Sequence, residues 1–194
     1  MVRIGVISVQ GDVSEHLISA KKAMEDFGIV GEVVAVRRLR DIEGVDALII
    51  PGGESTTISR IMKREGLMDR IRELHEERDI PIMGTCAGCI ILAKEVKDGE
   101  VDGLKLMDMR IRRNAFGRQR ESFETSVEVE GFDSPFHAVF IRAPIIEAIW
   151  GRCRAIAKLN DRIVGAVDGR KIALTFHPEL TSDYRFHRMF LEMI

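Results

Sequence analysis

Along the first half of the chain, short apolar runs alternate with longer amphipathic stretches, the rhythm of repeating strand–helix units. Residues 3–9 are rich in β-branched side chains, and residues 13–27 read as a helix stopped by Gly28. Residues 30–36 predict the next strand. Ala47-Leu48-Ile49-Ile50 is continuously apolar and halts at Pro51-Gly52-Gly53, as a parallel strand buried on both faces does. Residues 55–63 and 67–78 predict helices, the second with Ile71 and Leu74 on its apolar side. Residues 80–84 predict a further strand and residues 90–96 a further helix.

After Gly99 the pattern shortens. Residues 104–111, 124–129, 138–142, 154–158, 163–167 and 171–176 read as strands parted by Gly, Asp or Pro, and residues 183–194 close as a helix. The whole predicts an α/β fold: a mostly parallel sheet flanked by helices on both faces, with an antiparallel β extension. With 194 residues and no linker or repeat, one domain over 1–194 is expected. In such sheets ligands gather at the carboxyl ends of strands, so the chemistry is sought there.

Charge narrows the class. Twenty-nine Lys and Arg against 31 Asp and Glu leave a net charge of −2, without the basic excess that a nucleic-acid partner demands. No apolar run approaches the ~20 residues needed to cross a bilayer. The opening segment, interrupted at Gly11-Asp12, does not read as a signal peptide. Three cysteines, Cys86, Cys89 and Cys153, make an odd set that does not suggest a disulfide framework. A soluble, cytoplasmic protein with no membrane partner is expected.

Gly84-Thr85-Cys86-Ala87-Gly88 follows a strand and opens a helical run, the setting of a nucleophile elbow with Cys in the Ser position. A tight turn there holds the sulfur out at the sheet edge. The helix start favours a thiolate and leaves backbone N–H groups for an oxyanion. Phe176-His177-Pro178-Glu179 ends another strand and supplies a proton shuttle with a carboxylate to orient it. His177 and Glu179, two residues apart on extended backbone, are expected to project on one side.

Other features compete. Cys86-Ala87-Gly88-Cys89 is also a CxxC, compatible with a redox dithiol; a zinc site lacks a second cysteine pair. Cys89 reads mainly as a helix packing position that modulates Cys86 only if oxidised. His16, His75, His137 and His187 read as structural or solvated, with His16 nearest to a strand end. Pro51-Gly52-Gly53-Glu54-Ser55-Thr56 reads as a loop that lets a substrate approach backbone amides. Arg110, Arg112, Arg113, Arg118 and Arg120 form a basic run able to offer a guanidinium to a carboxylate ligand.

Together these segments resemble class I glutamine amidotransferase domains and, more narrowly, the family of glutaminase subunits of pyridoxal 5'-phosphate synthases. The resemblance is carried by Gln10-Gly11 with Glu15-His16, Pro51 to Thr57, Gly84 to Gly88, residues 113–119, Ser122-Phe123-Glu124, residues 140–144 and residues 176–181. It implies a flavodoxin-like sheet, Cys86 as nucleophile, His177 as general base and acid, and Glu179 as the orienting carboxylate. It implies Gly52, Gly53, Glu54, Arg113, Ile141 and Arg142 as glutamine-binding residues, with no metal and no cofactor. The partners implied are L-glutamine and a synthase subunit that receives the ammonia. A glutaminase of another pathway, such as the histidine-biosynthetic one, an elbow-cysteine protease or deglycase, and a CxxC redox or binding module remain as alternatives. The chain departs from the family in having Cys89 where an aliphatic residue is usual, and in ending soon after the last helix.

Overall fold

The structure, a computed structural model, describes residues 1–113 and 122–194. Five parallel strands form its centre: β1 (Val2–Ile7), β2 (Gly31–Val36), β3 (Ala47–Ile50), β4 (Ile82–Thr85) and the late β12 (Lys171–Leu174). Their spatial order is β2-β1-β3-β4-β12, which is the flavodoxin-like order with the last strand taken from the end of the chain. Every neighbouring pair in this set is parallel.

The helices follow from amphipathic periodicity. Helix α1 (Val13–Asp26) buries Ala20, Ala23 and Met24; α2 (Ser55–Arg64) buries Ile58 and Met62; α3 (Leu67–Arg78) buries Leu67, Met68, Ile71 and Leu74. Strand β3 shows why both faces need cover. Ala47 and Ile49 pack with α1 and the late helix α5 (Arg185–Leu191), while Leu48 and Ile50 pack with α2, α3 and α4 (Ala87–Leu92). Period-2 alternation on a run with no polar residue thus feeds two cores at once.

Beyond β12 the sheet turns antiparallel through β11 (Arg162–Asp168), β10 (Arg154–Leu159), β7 (Ser122–Val129) and β8 (Phe136–Ile141). Phe136, Phe140, Phe176 and Phe186 fill the space beneath this extension; the Phe176 ring lies 5.4–5.7 Å from the other three. Phe176 is fully buried and directly precedes His177, so aromatic packing clamps the segment that presents the histidine.

Two elements differ from the sequence-based expectation. Residues 90–96 were expected as one helix, yet α4 ends at Leu92 and the chain continues as β5 (Ala93–Lys97), parallel to β6 (Met107–Arg112). Good helix formers in Ala-Lys-Glu-Val-Lys are overridden by that pairing. Strand β9 (Ile145–Ile149), absent from the sequence reading, follows Pro144 and bridges β6 to β11 through Ile146 and Ile163. No helix among the described residues is long and apolar enough to cross a membrane.

Candidate active site

The site assembles at the carboxyl ends of β1, β3, β4 and β12. Cys86 sits between β4 and α4 with φ 48° and ψ −103°, a sparsely populated conformation that costs on the order of 1–3 kcal/mol. Its N–H donates to the Leu174 carbonyl at the end of β12 (2.8 Å), which pins the turn to the neighbouring strand. Small neighbours make the turn possible. A Cβ on Gly84 would lie 2.6 Å from the Gly88 backbone, and one on Gly88 would strike the Ile50 carbonyl.

His177 lies three residues beyond Leu174, its N–H donating to Val139 of β8 (2.9 Å). Its Nδ1 is 2.7 Å from Glu179 Oε1 and 3.4 Å from Asp12 Oδ2. Extended backbone was expected to bring His177 and Glu179 together. Instead His177 (φ −110°, ψ 85°) leads into a single 3-10 turn, Pro178–Leu180, which folds Glu179 back under the ring. Proline fixes φ for that turn and so makes the pairing local.

Electrostatics tie the three side chains together. Burial works against a proton on His177, but hydrogen bonding to Cys86 and Glu179 and their negative charge hold it, raising its pKa from 6.5 to about 10. Burial likewise opposes ionisation of Glu179, yet His16 and His177 beside it bring its pKa down to about 2. The Cys86 sulfur also lies 3.7 Å from the Ile141 carbonyl oxygen. His177 Nε2 is buried and has no oxygen or nitrogen partner among the described residues, so the sulfur is what the ring interacts with there.

A cavity of about 450 Å³ opens over the sulfur, lined by Asp12, Gly53, Glu54, Arg113, Ile141, Arg142 and His177 among others. That is within the size range of small-molecule sites. Gly52 lies behind the imidazole: a Cβ there would stand 2.5 Å from His177 Cε1. The Glu54 carboxylate caps α2, accepting from the N–H and hydroxyl groups of Thr56 and Thr57, and those hydroxyls hold its pKa at about 2. The Glu54 N–H in turn donates to Gln10 Oε1 (2.9 Å), and Arg113 stands 3.6 Å from its carboxylate. Arg110 and Arg112 pair instead with Glu95 and Glu147, away from the cavity lining. Arg118, Arg120 and residues 114–119 lie outside the described residues.

Sequence reasoning gave no role to Asp12 or Pro144, both in the cavity wall, nor to Thr85. The position of Asp12, directly after Gly11 at the end of the first strand, was the available signal. Cys89 is fully buried, with its thiol pushed well above the usual range by that burial, which suits the expected helix packing position. Cys86, Cys89 and Cys153 are all free thiols. Asp12, His177 and Glu179 bring possible ligand atoms within 4.8 Å of one another, an arrangement already accounted for by one imidazole flanked by two carboxylates.

A parallel sheet with an elbow cysteine facing a His–Glu pair across adjacent strands defines a glutamine amidotransferase fold. A crystal structure of a glutamine amidotransferase superposes with a TM-score of 0.89 at 44% identity, covering 98% of this chain and 97% of that one. A glutamine amidotransferase from Thermotoga maritima shares the fold at 16% identity with a TM-score of 0.65, over 97% of this chain and 80% of that one. The chain belongs to the SNO glutamine amidotransferase family, whose model matches residues 6–194. Among its relatives, the pyridoxal 5'-phosphate synthase subunit PdxT of Thermococcus gammatolerans is 51% identical over 98% of both chains. PdxT of Pyrococcus furiosus is 50% identical over the full length of both.

Proposed function

We propose that this chain is the glutaminase subunit of a pyridoxal 5'-phosphate synthase, acting in the cytoplasm as one domain over residues 1–194. It hydrolyses L-glutamine to glutamate and ammonia and passes the ammonia to a synthase subunit. The observation that carries the chemistry is the row Cys86–His177–Glu179 at the floor of a cavity whose elbow backbone is strained.

Cys86 attacks the side-chain amide carbon of glutamine. Backbone N–H groups at the start of α4 have no intrahelical acceptor and face the developing oxyanion. His177 gives its proton to the departing ammonia, leaving a glutamyl thioester on the sulfur. The ring then takes a proton from water, whose oxygen attacks the thioester and releases glutamate. Glu179 keeps the ring paired at Nδ1 in both its charged and its neutral state. Gly52, Gly53, Glu54, Arg113, Ile141 and Arg142 are the glutamine-binding residues in this reading; Glu54 contributes by shaping the loop, because its oxygens are engaged in capping α2. Ammonia is mostly protonated in neutral water and then is no nucleophile, which favours direct transfer into a partner.

The test is glutamate release from glutamine, with and without the synthase subunit. Cys86→Ala is expected to remove activity to background, at least ~10³-fold. Cys89→Ala should stay within about threefold of wild type, since its thiol is not the reactive one. Equal loss in both variants would favour a dithiol mechanism instead.

A further inference from the structure

A second buried imidazole stands directly behind the catalytic row. His16, fully buried on α1, places Nε2 2.9 Å from Thr85 Oγ1 and 3.4 Å from Glu179 Oε2. The start of α1 is fixed to the substrate loop by the Asp12 N–H on the Gly52 carbonyl (3.2 Å), and His16 N–H donates back to the Asp12 carbonyl (3.3 Å). The ring is therefore held by the same turn that lines the cavity.

Charge decides which nitrogen of His16 carries a proton. Glu179 is 6% exposed and ionised, and an ionised carboxylate only accepts. His177 serves Oε1; Oε2 is buried without a hydrogen bond of good geometry among the described residues, and its ion-pair contact is His16 Nε2 at 3.4 Å. A proton on Nε2 bonds the Thr85 hydroxyl oxygen and turns its positive end toward that carboxylate oxygen, leaving only a lone pair at the buried Nδ1. The opposite tautomer would turn a lone pair toward the carboxylate and strand a buried N–H at Nδ1, leaving both without compensation. His187, also buried, does not compete: burial pushes its pKa down to about 4, and neither ring nitrogen has a hydrogen-bond partner among the described residues.

We infer that His16 is a positioning residue for glutamine hydrolysis: its Nε2–H fixes the Glu179 carboxylate and the Thr85 hydroxyl, and through them the His177 ring and the Cys86 turn. Thr85 is the residue immediately before the nucleophile, so a single nitrogen braces both halves of the row. The assignment rests on the glutaminase reading above. His16 touches neither substrate nor sulfur; it acts through Glu179 and Thr85.

The experiment measures kcat and KM for glutamate release by the complex with the synthase subunit. His16→Gln retains an amide N–H near the Nε2 position, whereas His16→Met keeps similar bulk without a donor. His16→Met is expected to lower kcat about 10–100-fold, the range for removing a supporting partner of a reactive group, with KM within about threefold. His16→Gln should recover most of that loss. In a Glu179→Gln background, His16→Met should cost clearly less than it does alone, the remainder being the Thr85 contact. Three results overturn the inference: wild-type kcat in His16→Met, equal loss in both variants, or full additivity with Glu179→Gln. Failure of both variants to fold also overturns it, placing His16 in the fold alone. No glutamate release by the wild-type complex would instead sink the glutaminase reading itself.

Discussion

The two ends of β12 carry buried ionisable groups of opposite meaning. Past its carboxyl end stand His177 and Glu179, with Cys86 across, just beyond β4. At its amino end Lys171 is 1% exposed, opposite Asp168 (4% exposed) on β11, with Cys153 beside them. Both ends therefore offer a cysteine, a cation and a carboxylate. At the amino end each group is committed. Asp168 Oδ2 accepts from the Asp108 N–H (2.9 Å), and Lys171 Nζ lies 4.0 Å from Asp79. Burial, then the charges of Asp168 and Asp108, push the Cys153 thiol to about 12. At the carboxyl end the backbone is strained, a cavity opens, and one ring nitrogen has only sulfur to meet. Buried charge alone does not make a reactive site; an uncommitted polar atom facing an open cavity does.

The largest effect that would test this contrast is at Glu179. Glu179→Gln should lower kcat roughly 10²–10³-fold with little change in KM, since the lost charge steadies an imidazolium formed during reaction. The matching change at the other end, Asp168→Ala, should cost about 2–3 kcal/mol of stability in urea denaturation, because it strands the Asp108 N–H and the buried Lys171. Its kcat should remain within about twofold; a fall comparable to that of Glu179→Gln would erase the distinction.

A smaller effect concerns pH. The folded His177 ring holds its proton to about 10, against 6.5 for an ordinary histidine. A raised pKa stabilises the fold fully below 6.5, and this contribution fades as pH climbs from 6.5 to about 10. The stability gap between wild type and His177→Asn should narrow across that window, as followed by denaturation midpoints. A gap that widens with pH would reverse the assigned charge state.

Much of this was legible in the residues. Ala47 to Ile50 followed by Pro51-Gly52-Gly53 could be little other than a buried strand and its loop, and the elbow and His-Pro-Glu segments announced their places at strand ends. What escaped notice depended on partners distant in sequence. Ala93 to Lys97 becomes a strand only because β6 lies alongside, and Ile145 to Ile149 only because β6 and β11 flank it. His16 stood out among the histidines only by lying just after the first strand; its contact with Glu179, 163 positions later, was not visible there. The role of Glu54 was similarly hidden: its cap is local, yet its proximity to Arg113 is not.

The register between β4 and β12 sets Thr85 level with Leu174, and the next residue's N–H is bonded straight to the Leu174 carbonyl. Nucleophile and proton carrier thus hang from the ends of two adjoining strands, whose ~4.8 Å spacing is fixed by their backbone hydrogen bonds. The gap between sulfur and imidazole is therefore set by the pairing of two strands rather than by the helices around the cavity.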